Sequence, residues 1–495
     1  MKTAAAIVTG LWAVLSAPAM AQEADPQAWM AEPRDWSATL VQDATALHDI
    51  VIDSHPGVHD PLNPAFRGRV DAGLALALER ARTTTTPGGW WWAMRSYVAG
   101  FDDGHVQIGL KAGSLPMRWP GFLTTYRGAD QIVADRDESD PGAPPLGARL
   151  IDCDGVPADR LAEERIGAFR GRWFLQSQRV TFGDWQFLSA ANPWVTEMRT
   201  CRFESNGQTR AYALNWRSAD GVDLPARRAR LSQRAHTAIE MKMLADGGYW
   251  LSAPNFDGTP DSETFRSLTA LVDEALAKQA DLRQAPYVVL DLRGNGGGSS
   301  RWGSRLAVAL WGLEWARAHN LAPIEAIDWR ASEANQARMQ AYADDARAVG
   351  QEARTIADFE ATANALGAAR AAGEVYWREA GGSPQPRPTI EQLVQGPVFL
   401  LTDPVCASAC LDTVDLWKAL GAIQVGAETS ADTVYMEIRP AALPSDRADV
   451  AIPMKVWRGR ARGNNEPQRP VHLYTGDLSD DAAVQAWIAG LAARD

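Results

Sequence analysis

The sequence predicts an α/β chain in three parts: helices first, a β-rich middle, and a mixed α/β half. Three observations carry this. Leu40, Ala44, Leu47 and Val51 recur at a helical period, and Val70 to Arg82 is rich in Ala and Leu. Residues 113–220 are richer in Gly, Pro and short strand-like runs. Further on, Tyr249-Trp-Leu-Ser reads as a strand, and Phe265, Leu268, Leu271, Val272, Ala275 and Leu276 form a helical stripe. Tyr287 to Arg293 is then a near-continuous apolar strand, as buried parallel strands are. The expected units are therefore 22–112 (helical), 113–220 (β-rich) and 221–495 (α/β). A helical insertion is expected at about 304–380, where Ala, Arg and Glu dominate. No internal repeat is visible.

The first residues read as a processing signal. Lys2 supplies a short positive start, Ala4 to Leu15 an apolar stretch, and Ala19-Met20-Ala21 a small-x-small cleavage site. The stretch is short for a membrane span, and no later segment reaches such a length. The expectation is an exported protein, periplasmic or secreted, with no stable membrane span once residues 1–21 are removed. The net charge of −12 makes nucleic acid a poor partner. No oligomeric state is read from the sequence.

Four cysteines follow the leader, and four allow three pairings. Cys153 and Cys201 lie in one β-rich region and form the expected bridge in an oxidising compartment. Cys406 and Cys410 flank Ser408 and also read as small buried packing residues. No Cys-x-x-Cys pair is present. His55 and His59 are four apart, but Pro56 and Gly57 interrupt the helix face they would share. A metal site is not expected.

Chemistry concentrates in three motifs. In Val398-Phe-Leu-Leu-Thr-Asp-Pro-Val-Cys-Ala-Ser408-Ala-Cys, an apolar strand runs into a turn, and a helix follows (Leu411, Val414, Trp417, Leu420). A serine on a strand-to-helix turn can expose its hydroxyl beside the free N–H groups of the helix start, as an attacking serine needs; it can also be an ordinary helix cap. In Arg293-Gly-Asn-Gly296-Gly297-Gly298-Ser299, glycines let backbone donors approach a ligand. The Lys-Ser/Thr of a phosphate loop is missing, which leaves an oxyanion donor or a plain turn as readings. In Phe101-Asp102-Asp103-Gly104-His105, a histidine sits where helices give way to a strand.

Taken in order, these motifs resemble the C-terminal processing (tail-specific) and tricorn-like serine peptidases. Val425-Gly426 with Thr429, and Gly247-Gly-Tyr-Trp-Leu, extend the likeness, while Gly147-Ala-Arg-Leu-Ile-Asp-Cys-Asp-Gly155-Val-Pro157 looks like a piece of a PDZ module. The resemblance implies a Clp-protease/crotonase-like core behind an N-terminal helical region and a PDZ-like β-rich module. It implies Ser408 as nucleophile, with N–H groups of Ala409 and of Gly296 or Gly297 as the oxyanion hole. Processing proteases use a lysine base, and Asp432 stands about where that lysine falls. Lys418, ten positions after Ser408, lies roughly 15 Å along the helix at ~1.5 Å per residue. The tricorn-like branch uses a histidine, here His105, though Gly104 replaces the serine that often precedes it. Glu466 in Gly463-Asn-Asn-Glu466-Pro467 matches that branch's late glutamate, and Asp103 is the rival acid to orient His105.

The sequence thus points to an exported serine hydrolase acting on peptides or proteins, with no metal or organic cofactor expected. A catalytically weak peptide- or ligand-binding protein on the same fold and a non-peptide esterase are the other readings.

Overall fold

The computed structural model describes residues 28–231, 238–260, 262–319, 324–381 and 390–494. The leader expected at residues 1–21 lies outside them. No helix among the described residues is long and apolar enough to cross a membrane.

Helices Trp36–Ser54, Phe66–Ala81 and Pro87–Ala99 form the N-terminal layer. Asp35 caps the first by accepting from Ala38 N, and Thr86 caps the third through Gly89 N with Pro87 at its first position. The predicted stripe Leu40, Ala44, Leu47 and Val51 is buried with Val70, Trp90 and Tyr97 against Val450, Ile452 and Val456. Each fully buried Leu or Val of this kind contributes about 1.5–3 kcal/mol. That packing fixes the chain where it leaves Ala99 and turns through Asp103 and His105.

The α/β half is built on a six-stranded sheet. Its order is Glu240–Met243, Tyr249–Ser252, Val288–Asp291, Val398–Thr402, Ile423–Gly426 and His472–Leu473. Only the first pair is antiparallel. Val288, Leu290, Val398 and Leu400 face a core closed by helices Glu263–Ala277, Arg301–Trp311 and Ala409–Leu420. Val289, Phe399, Leu401 and Val425 face the helix Asp481–Ala492. Burial on both faces is why these strands lack polar alternation. Val288–Asp291 and Val398–Thr402 are adjacent and parallel, so the loops leaving their C-terminal ends open side by side. Those loops carry the glycine motif and Ser408.

A second, antiparallel sheet runs Gln107–Leu110, Ala448–Arg458, Ala326–Arg330 and Tyr376–Ala380, with Tyr435–Ala442 also paired to Ala448–Arg458. The segment expected to be a helical insertion therefore contains two strands. Helices Glu333–Ala348 and Ala353–Ala371 lie between them in sequence and pack on the sheet through Met339, Tyr342, Phe359 and Leu366. In the β-rich middle, Phe122–Arg127, Asp130–Arg136, Arg149–Cys153, Thr200–Ser205 and Gln208–Ala213 make a third sheet. Cys153 and Cys201 are register partners there and form a disulfide.

Candidate active site

Ser408 immediately precedes the helix Ala409–Leu420, but it is not a capping serine: its side chain makes no cap hydrogen bond. Its backbone lies at φ 54, ψ −123, a region that a side chain rarely occupies and that costs on the order of 1–3 kcal/mol. Such a conformation persists only where the surroundings fix it. Here Asp403 accepts from Val405 N and Cys406 N at 2.9 and 3.2 Å, and Cys410 N donates to Ala407 O. Cys406 and Cys410 are joined by a disulfide, which corrects their reading as packing thiols. The hydroxyl-bearing residue stays partly open to solvent between two buried cysteines.

The glycine loop is a built feature rather than a loose turn. Gly294 N donates to Asp403 Oδ2 at 2.7 Å, which ties it to the serine turn. Asn295 accepts from Gly297 N at 2.9 Å, donates to Ala253 O at 2.7 Å, and takes Ala407 N on its carbonyl at 3.4 Å. Gly297, at φ +106, sits so close to the nucleophile turn that a Cβ would lie 2.7 Å from Ala407 O and 3.2 Å from Ala409 N. Of the predicted oxyanion donors, Gly297 N–H is thus taken by Asn295. Gly296 is exposed beside it, and Ala409 opens the helix, where N–H groups have no intrahelical acceptor. Burial pushes the Asp403 carboxyl up to about 6, against the donated N–H bonds.

His105 is buried, and its turn is made by Asp103, which accepts from His105 N at 2.9 Å. The sequence reading put both on one strand face if that piece were extended. Instead the strand begins at Gln107, and the carboxylate meets the histidine by folding back over the turn. Asp103 Oδ1 also accepts from Thr433 Oγ1 at 2.9 Å, and Oδ2 faces His55 Nε2 at 3.2 Å. His55 Nδ1 accepts from Gly57 N at 2.9 Å, so its proton is on Nε2, pointing at Asp103. Burial holds His55 below the ordinary histidine value, although Asp103 pulls the other way. Burial works against ionisation of Asp103, but the bond from His55 and the charges around it hold the carboxyl below its usual range. His55 was not singled out from the sequence as part of this site. A histidine at a helix end, stacked on Phe66 with ring centroids 4.3 Å apart, carries no local signal of it.

The two turns meet through one short segment. Ser430 N donates to Cys406 O at 3.0 Å, and Thr433 holds Asp103. Three residues span at most roughly 11 Å. Arg172 adds a second clamp, donating to Ala431 O at 2.6 Å while its guanidinium lies against Gly104. A Cβ at residue 104 would meet that guanidinium at 2.7–2.8 Å, so a serine before His105 would need Arg172 to shift.

His105 Nδ1 has no hydrogen-bond partner among the described residues, and Asp103 Oδ1 is 3.9 Å away. Glu466 stands in an exposed turn with its carboxylate on Gly463 N at 2.8 Å. The structure does not join it to His105. It does place its neighbour there: Asn465 Nδ2 donates to Asp102 O at 2.8 Å. At the lysine position, Asp432 is buried in ion pairs with Arg462 and, at 3.1 Å, Arg460. Lys418 is bonded to Gln468 at 2.6 Å. Ser300 donates to Asp412 at 2.9 Å, and Ser299 is buried. Among the described residues no group of three or more His, Cys, Asp or Glu could hold a metal.

The fold is mixed α/β, with N-terminal helices, a β-rich module consistent with a PDZ-like one, and a mostly parallel six-stranded core sheet. Among solved structures, that of mature CPAF superposes with a TM-score of 0.60 at 12% identity, over 93% of this chain and 98% of that chain. The photosystem II D1 C-terminal processing protease aligns at a TM-score of 0.31 and 13% identity, over 91% of this chain and 99% of that one. The tricorn protease aligns at 0.39 and 12%, over 92% of this chain and 37% of that one. No protein-family model and no curated protein matches the sequence.

Proposed function

We propose that the chain is an exported serine hydrolase, a peptidase, that works through an acyl-enzyme on Ser408. The observation that carries this is the conformation of Ser408: a left-handed serine at a helix start, without a capping bond, pressed against a glycine loop. The fold shared with mature CPAF, at 12% identity, agrees with it. His105 takes the hydroxyl proton as Oγ bonds to the substrate carbonyl carbon. The developing oxyanion is held by Ala409 N–H and by Gly296 N–H rather than that of Gly297, which is occupied. His105 then gives its proton to the leaving amine, and water releases the acyl group.

His105 needs an acceptor for its second N–H. Asp103 Oδ1, the oxygen facing Nδ1, already accepts two donors, from His105 N and Thr433. A carboxylate oxygen has two lone pairs, so it has little capacity for a third. Glu466 accepts from Gly463 N on a turn anchored to Asp102, and it keeps spare acceptor sites. Glu466 is proposed as the orienting acid on its place in the motif order, with Asp103, 3.9 Å from His105 Nδ1 and anchor of the His105 turn, as the rival. Profiling of purified protein against a peptide library and an ester panel tests the substrate class. Cleavage of neither, with no fluorophosphonate adduct, favours the ligand-binding alternative.

A further inference from the structure

We infer that the Cys406–Cys410 disulfide is a positioning device for the nucleophile, so that the enzyme is active only when this bond is oxidised. The inference rests on Ser408 being the nucleophile. The bond spans Ser408 symmetrically, two residues to either side, with Cα atoms 5.4 Å apart. Between its ends lies a turn in which Ser408 holds φ 54, ψ −123 with no capping hydrogen bond from its own side chain. Most restraints on that turn come from outside it, and one hydrogen bond, from Cys410 N to Ala407 O, crosses it. Asp403 holds the Cys406 side, and Ser430 N holds Cys406 O. On the other side stands the helix start at Ala409. The disulfide is the covalent link between the held side and the helix. Without it, Ser408 is free to relax to ordinary helix-cap geometry, with its hydroxyl on the free N–H groups of the first turn. That relaxation takes Oγ out of line for attack and occupies donors beside the oxyanion site.

Cys153–Cys201 differs in kind, because it joins strands already paired by backbone hydrogen bonds, in a sheet of its own. Both Cys406 and Cys410 are fully buried, so the bond opens slowly in the folded enzyme. A chain held in a reducing compartment keeps two thiols and a relaxed serine. An oxidising compartment, where the leader is expected to send it, assembles the nucleophile. Reduction by a thiol is balanced: one thiolate attacks a cysteine sulfur and the protein S–S bond breaks. A second thiolate then resolves the mixed disulfide, leaving two protein thiols and one molecule of oxidised reagent.

The test equilibrates the full-length mature chain in glutathione buffers from oxidising to reducing. In each sample the Cys406–Cys410 state is read by alkylation and peptide mass spectrometry, and the rate of fluorophosphonate labelling at Ser408 is measured. The expected result is labelling that falls at least tenfold in step with opening of this bond, with circular dichroism unchanged and labelling restored on reoxidation. Peptide turnover should lose kcat with KM little changed. Cys406→Ala/Cys410→Ala should behave as the reduced enzyme, and Cys153→Ala/Cys201→Ala should label at the wild-type rate wherever it remains folded. Equal labelling of the folded chain in both states overturns the inference while leaving Ser408 as nucleophile. So does reduction that unfolds the chain outright, which makes the bond a fold staple. An oxidised wild type that takes no label overturns the serine reading and this inference with it.

Discussion

Gly297 lies against Ser408 so closely that a Cβ on the glycine would sit 2.8 Å from the serine Cβ. Two loops about a hundred residues apart in sequence are thereby set in register, because the strands that precede them are adjacent and parallel. The left-handed φ of +106 at residue 297 makes the requirement for glycine stricter. Gly297→Ala should therefore displace the nucleophile turn more than it unfolds the protein. Fluorophosphonate labelling is expected to drop by about 10²-fold or more, the scale of losing an oxyanion donor. Circular dichroism at working temperature should be near wild type. Labelling within a factor of two of wild type would detach the loop from the site.

The acids around His105 are separable by substitution. Glu466→Gln should lower kcat on the order of 10²–10⁴-fold and remain more active than Ser408→Ala or His105→Ala, since the histidine keeps some productive orientation. Asp103→Asn loses the bond to His55 and loosens the turn, so its deficit should be accompanied by a fall in thermal stability. A crippled Asp103→Asn of normal stability beside a near-wild-type Glu466→Gln would move the acid to Asp103.

His55 gives the fold an acid limit. Burial holds it neutral below the ordinary value of 6.5, so the unfolded chain binds a proton there that the folded chain refuses. Its contribution to stability is present above pH 6.5 and is lost as pH falls below it. Urea unfolding at a series of pH values should show wild type losing stability between pH 6.5 and 5 faster than His55→Gln. Parallel curves would show that His55 does not titrate in the unfolding reaction.

Asp403 acts in the opposite sense. Its folded value of about 6 lies above the ordinary 3.8, so the folded chain holds a proton that the unfolded chain has released. The stabilisation is full below pH 3.8 and is lost as pH rises through 6. About two pH units correspond to roughly 3 kcal/mol at most. Wild type should lose stability relative to Asp403→Asn as pH rises from 4 to 6.5. A difference independent of pH would mean that the three N–H donors keep Asp403 ionised throughout.

Much of this was legible in the sequence. The apolar run at Val398 and the stripe Leu411, Val414, Trp417 and Leu420 mark the strand and helix around Ser408, because both elements are buried and regular. The stripe Leu40 to Val51 was legible for the same reason. Ala326–Arg330 and Tyr376–Ala380 were not: they are five residues each, flanked by long Ala-rich helices, and are strands because Ala326–Arg330 pairs with Ala448–Arg458 on one edge and with Tyr376–Ala380 on the other. The contact of His55 with Asp103 joins residues 48 apart and exists only through packing of the first helix on the turn. For Cys406 and Cys410 a signal was present. Two cysteines four apart are close enough in the chain to be bridged, although Cys406 precedes the helix that starts at Ala409 and helical spacing does not select the pair.

The central claim is that Ser408 carries the covalent chemistry, and one measurement meets it directly. Purified oxidised protein is treated with a fluorophosphonate probe, and the adduct is mapped by peptide mass spectrometry in wild type and Ser408→Ala. The account predicts a single adduct on Ser408 in wild type and none in the variant, with both proteins equally folded. An adduct of unchanged yield in Ser408→Ala, or one mapped to Ser299 or Ser300, would contradict it.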